Sequence, residues 1–207
     1  MTKLLPLADR HRAHHAKMVD FHGWEMPLDY GSQLEEHHAV RSSVGIFDVS
    51  HMTIVDLLGT GGRQFLRQLL SNDVDRLTQR GEALYSCMLN HQGGVVDDLI
   101  VYYREADRYR LILNSATRAS DLAWMQNLIS DFHVGIYERT EYVLLAVQGP
   151  KAESTLLSVL SPLQMDAVST LNRFSSVEVE DVASLPALAE DACSSVVSPV
   201  GCEAVWL

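Results

Sequence analysis

The chain has 207 residues, 47% of them hydrophobic and 21% charged, with 27 acids against 16 bases and a net charge of −11. That length suits one large domain or two small ones with a real core, and the composition excludes a collagen, a disordered tail and a disulfide mini-protein. The acidic balance argues against general nucleic-acid or anionic-membrane binding, and no apolar run approaches the roughly 20 residues that span a bilayer. The N-terminus, MTKLLPLADRHRAHH, lacks the long apolar region of a secretory signal. Cys87, Cys193 and Cys202 have neither metal-ligand spacing nor an obvious pairing, which predicts a reducing, cytoplasmic setting.

Ser32 followed by Glu35 reads as a capping box, and LEEHHAVRSSV then runs to Gly45, so a helix is predicted over 33–44. MTIVDLL at 52–58 is strand-like in its β-branched content. Gly59-Thr60-Gly61-Gly62 lacks the Gly-Lys-Ser/Thr ending of a phosphate loop and reads as a turn. RQFLRQLL at 63–70 places Phe65, Leu66, Leu69 and Leu70 at helical spacing. ALYSCML at 83–89 and VVDDLIVYY at 95–103 read as strands, and the NHQGG between them signals a hairpin. After a turn at 105–108, YRLILN at 109–114 is another strand. A helix over roughly 116–130 presents Leu122, Met125, Leu128 and Ile129 on one face. HVGIYER at 133–139 and YVLLAVQ at 142–148 are strand-like, Gly149-Pro150 breaks the pattern, 151–160 is helical and VEVEDV at 177–182 is one more strand. Hairpins in place of regular βαβ alternation predict an α+β fold, with antiparallel or mixed sheets and packed helices.

The most informative position is Asp97-Asp98 inside an apolar strand, where aspartate is disfavoured. Alternation puts Val96, Asp98, Ile100 and Tyr102 on one face and Asp97, Leu99, Val101 and Tyr103 on the other. With both faces mostly apolar, at least one carboxylate points into a partly buried place and needs donors or a ligand cation there. The alternative is a turn-proximal aspartate satisfied by backbone N–H groups. The nine histidines form no metal framework; His11 and His15 have i,i+4 spacing, but nothing establishes a helix there, so hydrogen-bonded or solvated histidines are expected. Tyr85, Tyr102, Tyr103 and Trp24 are candidates for an aromatic wall against a flat ligand, with ordinary core packing as the alternative.

MVDFHGWEMPLDYGSQLEEHHAVRSSVGIFDVSHM, ALYSCMLNHQGGVVDDLIVYY, LILNSATR and LAVQGP together resemble the T-protein of the glycine cleavage system, over about residues 6–182. The resemblance implies a tetrahydrofolate-dependent aminomethyltransferase. Such an enzyme moves the methylene of the aminomethyl group carried on the lipoyl arm of H-protein to tetrahydrofolate and releases ammonia. It further implies that Asp98 is the key carboxylate beside the reacting folate nitrogens, and that Met52, Tyr85, Ile100, Tyr102 and Asn114 line the folate pocket. A pteridine is flat and carries N–H donors, so an apolar wall with a few fixed acceptors suits it.

Beyond the VEVEDV strand the family has an Arg-Thr-Gly-Tyr-Thr-Gly-Glu segment, and this chain reads ASLPALAEDACSS instead. No position here matches the pocket Tyr and Glu of that segment. The expectation is a T-protein-like folate-binding region at 1–182, followed by a divergent tail at 183–207 on an apparently truncated frame. Poor order in that tail, exposed apolar surface and self-association are expected with it. The alternative function is a catalytically inactive fragment or folate-binding remnant.

Overall fold

The computed structural model describes residues 2–179 and the backbone of residues 202–206. The chain divides into two compact units, residues 1–52 with 142–160 and residues 53–141 with 161–207. The boundary expected near residue 182, and most of the tail beyond it, lie outside the described residues.

In the first unit the chain runs β1 (Lys3–Leu4), α1 (Ala8–Ala13), β2 (Lys17–Phe21), β3 (Trp24–Asp29), α2 (Gln33–Ser42) and β4 (Gly45–Asp48). β2 and β3 pair antiparallel across His22-Gly23, whose φ values of 51° and 83° give the doubly left-handed turn that matches strand twist. β1 adds to β3 in parallel. Of the capping box expected for α2, the N-cap half forms: the Ser32 hydroxyl accepts from the Glu35 N–H at 3.3 Å. Gly45 opens β4 rather than only ending the helix. α1 contains His11 but ends before His15, which has a φ of 60°, so the i,i+4 pair does not share a helix. His11 is instead hydrogen-bonded, Nδ1 to the Tyr30 hydroxyl at 2.7 Å and Nε2 to Asp48 at 2.9 Å.

The second unit continues with β5 (Thr53–Leu58), α3 (Gly62–Leu69), β6 (Ala83–Leu89), β7 (Val95–Glu105), β8 (Arg108–Leu113), α4 (Arg118–Leu128) and β9 (Gly135–Glu138). The chain then re-enters the first unit for β10 (Leu145–Gln148), which pairs antiparallel with β4, and for α5 (Ala152–Val159). α6 (Pro162–Ser169), β11 (Ser175–Val179) and β12 (Cys202–Trp206) complete the second unit. β11 and β12 pair antiparallel. No described helix is long and apolar enough to cross a membrane.

The main sheet has the order β6-β7-β8-β5-β9, and every neighbouring pair is antiparallel. The α+β class expected from the hairpins is the fold observed. One face of this sheet is the core. Leu99 and Val101 of β7, Leu111 and Leu113 of β8, and Val55 and Leu57 of β5 meet Phe65, Leu66 and Leu69 of α3 and Met125 of α4, all almost fully buried. At about 1.5–3 kcal/mol for each large apolar side chain, this layer is the main source of stability. The helical spacing of 63–70 and of 122–129 therefore exists to close this face.

Gly81 holds the entry to β6 against β11. Its φ is 92°, and its carbonyl accepts from the Ser176 N–H at 2.8 Å. A Cβ here would sit on the Ser176 carbonyl oxygen. Gly81→Ala is expected to lose at least about 1–2 kcal/mol from the left-handed backbone alone, with more from the displaced β11. A thermal melt reads it, and an unchanged midpoint would show that β11 yields without cost.

Candidate active site

The register fixes what the other face of the sheet carries. Tyr85 lies opposite Ile100, Cys87 opposite Asp98 and Ala83 opposite Tyr102 on β6 and β7. Across β8, Ile112 lies opposite Ile100 and Arg110 opposite Tyr102. Opposed residues share a face, so Tyr85, Asp98, Ile100, Tyr102 and Ile112 form one surface, as the alternation argument requires. Tyr85 is exposed, Asp98, Ile100 and Ile112 are half-buried, and Tyr102 is buried at 4% exposure. Tyr102 thus supports this face from within rather than forming its surface.

The Tyr85 hydroxyl donates to Asp98 Oδ2 at 2.9 Å. That bond to a carboxylate, helped by the negative charge nearby, pushes the Tyr85 phenol above its ordinary value and keeps it a donor. Asp98 Oδ1 accepts no hydrogen bond from the described residues, so one carboxylate oxygen is oriented by Tyr85 and the other is open to a ligand donor. Asn114 donates from Nδ2 to Asp97 Oδ1 at 3.0 Å and to the Asp98 carbonyl at 3.2 Å. Its amide N–H groups hold the aspartate pair in place, and the residue itself is half-buried.

Asp97 turns to the helix-covered face, as the alternation predicts for one of the two carboxylates. The donors it meets are side chains and not only the backbone N–H groups of the turn alternative. Thr117 Oγ1 donates to Asp97 Oδ2 at 2.7 Å, opposite the Asn114 bond. Burial alone would raise the Asp97 carboxyl, but the bonds from Thr117 and Asn114 outweigh it and hold the group below the usual range. Behind it stands Asp121 in the first turn of α4, fully buried. Burial, then the neighbouring Asp97, push the Asp121 carboxyl up to about 7. The sequence reading missed Asp121, although its spacing carries a signal. Asp121, Met125 and Leu128 are the buried residues of α4, so an aspartate occupies the apolar stripe.

The tyrosines of the expected aromatic wall do not all share one face. Tyr103 lies on the core face, its ring 5.5 Å from Tyr109, and Trp24 belongs to β3 of the first unit. Met52 closes the first unit, half-buried, with its N–H on the Val49 carbonyl at 3.0 Å. Asp98, Tyr85 and Ile100 share one accessible sheet face, and the half-buried Asn114 is hydrogen-bonded to the aspartate pair.

The same sheet face holds a second unanticipated cluster. Asp56 of β5, its side chain 1% exposed, accepts from Arg110 Nε at 2.7 Å and Nη2 at 3.0 Å and from Arg139 Nη1 at 2.6 Å, with Arg108 at 3.7 Å. Burial pushes its carboxyl up, but the Arg110 hydrogen bonds and the three guanidinium charges hold it below the usual range. The cluster joins Asp56 of β5, Arg108 and Arg110 of β8 and Arg139 just after β9, so only the register brings them together.

Comparison with known proteins follows the same lines. The model of the GCVT N-terminal domain family matches residues 7–191. An aminomethyltransferase of Legionella pneumophila (strain Paris) is 62% identical over 180 residues, 87% of this chain and 50% of that protein. An aminomethyltransferase of Xylella fastidiosa (strain M12) is 56% identical over 179 residues, 86% of this chain and 49% of that protein. The crystal structure of glycine cleavage system aminomethyltransferase T from Bartonella henselae superposes with a TM-score of 0.77 at 32% identity, covering 85% of this chain and 47% of that one. The chain spans about half the length of the curated relatives it matches.

Proposed function

The chain belongs to the GCVT N-terminal domain family, and on that premise we propose that it serves as an aminomethyltransferase of the glycine cleavage system. In this reading it moves the methylene of an aminomethyl group from the lipoyl arm of H-protein to tetrahydrofolate, and ammonia leaves. Tetrahydrofolate is the acceptor substrate, the lipoylated H-protein is the partner, and the reducing cytoplasm is the compartment. Residues 1–182 form the folate-binding region.

The observation that carries the reading is the half-used carboxylate of Asp98, with Oδ2 held by Tyr85 and Oδ1 open, on a face shared with Ile100 and Ile112. These residues fit a pteridine. Ile100, Ile112 and the Tyr85 ring offer a flat apolar surface, and the open oxygen offers one fixed acceptor to a ring N–H. A carboxylate already oriented by a neighbour also stabilises positive charge on folate nitrogens without reorganising. Asp98 is assigned that role, Tyr85 and Ile100 the wall, and Asn114 and Tyr102 the support beneath. Met52 is assigned to the pocket from the family resemblance.

Calorimetric titration of the purified, monodisperse chain with tetrahydrofolate tests the reading. One-site binding is expected, weakened about three- to tenfold in Tyr85→Phe because the hydroxyl that orients Asp98 is gone. A cooperatively melting chain with no heat of binding at millimolar folate would sink the folate assignment. Folate binding without transfer from aminomethylated H-protein would leave a folate-binding module in place of a transferase.

A further inference from the structure

We propose that the half-buried Asp97 and the fully buried Asp121 form an acid–carboxylate dyad holding a single proton, and that Asp121 is through it a positioning residue for Asp98. The geometry rests on four observations. Asp121 is fully buried, and neither of its carboxyl oxygens has a hydrogen-bond partner among the described residues. Thr117 and Asp121 stand one turn apart on α4, joined by the Asp121 N–H to Thr117 carbonyl bond at 2.9 Å, and the Thr117 hydroxyl touches Asp97. Asp121 therefore faces Asp97 from the next turn of the helix. Each Asp97 oxygen accepts one bond, from Asn114 or Thr117, and keeps a second lone pair for a further donor, and no described Lys, Arg or His pairs with either carboxyl group.

An ionised carboxylate with no donor is not tolerated in a buried site, whereas a protonated one supplies the missing donor itself. A carboxylic acid at Asp121 donating to the Asp97 carboxylate satisfies both groups. The groups facing the pair are Thr117 at the N-cap of α4, Ser120 of α4, Asn114 after β8 and, across from Asp97 on β6, Met88, so Asp97 is the ionisable neighbour that matters. Two like charges in one buried site do not both ionise near neutral pH, and the titration belongs to the pair.

Asn114 links the dyad to the surface. Its Nδ2 holds Asp97 Oδ1 and the Asp98 carbonyl together. Removal of the proton puts a second negative charge beneath this bond, and the strand segment carrying Asp98 moves with it. That Asp98 faces folate rests on the function proposed above; the dyad does not.

Carboxyl-detected NMR titration of the full chain between pH 4 and pH 9 decides the matter. One carboxyl is expected to titrate near pH 7, about three units above an ordinary aspartate, and to vanish in Asp121→Asn. The Asn114 side-chain amide resonances are expected to follow the same midpoint in the wild type and to stay constant in Asp121→Asn. Asp97→Asn is expected to bring the upper midpoint down, because the neighbouring charge is gone. The raised value also fixes the sign for stability: the contribution is complete below about pH 4 and is lost as pH rises through about 7, so the Asp121→Asn melt gains on the wild type at pH 8. Both aspartates titrating below pH 5 in the wild type would overturn the dyad, whether or not either variant folds. A titrating dyad with invariant Asn114 resonances would overturn the positioning role. A titrating dyad in a chain that binds no folate would leave the dyad standing and remove the function proposed above.

Discussion

Replacing Asp56 by alanine is expected to destabilise the chain by about 3–5 kcal/mol, the cost of removing one side of a buried ion pair and leaving the other in place. The three guanidinium groups of Arg108, Arg110 and Arg139 converge on a carboxylate that is 1% exposed. Without it the buried Arg110 guanidinium loses both bonds to this carboxylate, while the part-exposed Arg139 keeps Glu141 at 2.6 Å. For a chain of this size the loss is worth about 10 °C in the melting midpoint. The pH dependence has a definite sign. The folded carboxyl lies below its unfolded value of 3.8, so its contribution is present above about pH 4 and is lost as pH falls through the folded value. The gap between wild type and Asp56→Ala should therefore be widest at pH 7 and narrow in acid. Melting curves at pH 7 and pH 3 measure it, and a gap that stays constant would mean that the aspartate contributes by packing and not by charge.

The second large effect belongs to the site. Asp98→Asn keeps the shape of the side chain and removes its charge, so tetrahydrofolate binding is expected to weaken about tenfold to a hundredfold, the worth of a hydrogen bond to a charged group. Any transfer that depends on the charge falls with it, while the melting midpoint stays within about 1 °C, because Asp98 is half-buried on an accessible face. Asp97→Asn should behave in the opposite way. Both Asp97 oxygens accept from donors, Thr117 and Asn114, and an asparagine amide there meets one of them donor to donor. A stability loss of about 1–3 kcal/mol with a smaller direct effect on folate affinity is expected. Paired calorimetry and melts of the two variants separate the roles. Equal loss of binding in both, with intact folding, would remove the reason to prefer Asp98.

Local signals were legible in the sequence wherever the cause was local. The Ser32 cap, the helical spacing of Phe65, Leu66 and Leu69, and the NHQGG hairpin all appear where the residues place them. The alternation through VVDDLIVYY assigned Asp97 and Asp98 to opposite faces, and the register agrees. What escaped depended on distant partners. β4 is four residues long and exists by pairing with β10, far along the chain. The β2–β3 hairpin turns on His22-Gly23, where the first residue is not the usual Asn or Asp. α6 carries a proper capping box, with Ser161 and Gln164 bonded reciprocally and Pro162 at its start, but its eight residues show little apolar stripe. In the site, the Asp56 cluster was invisible because its partners sit on other strands and only the register reveals them, whereas Asp121 left one local trace, its place in the apolar stripe of α4.

The discontinuous first unit carries a consequence for synthesis. β4 leaves the ribosome with Ile46 and Phe47 exposed and an open edge, and its partner β10 follows about a hundred residues later, roughly 5–20 s at ordinary elongation rates. In that interval the whole β5–β9 sheet is synthesised, and its β6-β7-β8 meander, built from neighbouring hairpins, closes early. The five-stranded sheet of the second unit is thus complete before β4 of the first unit can meet β10, while α6 and β11 follow later still. The nascent chain spends those seconds with one unpaired apolar strand, the segment a chaperone has most reason to shield.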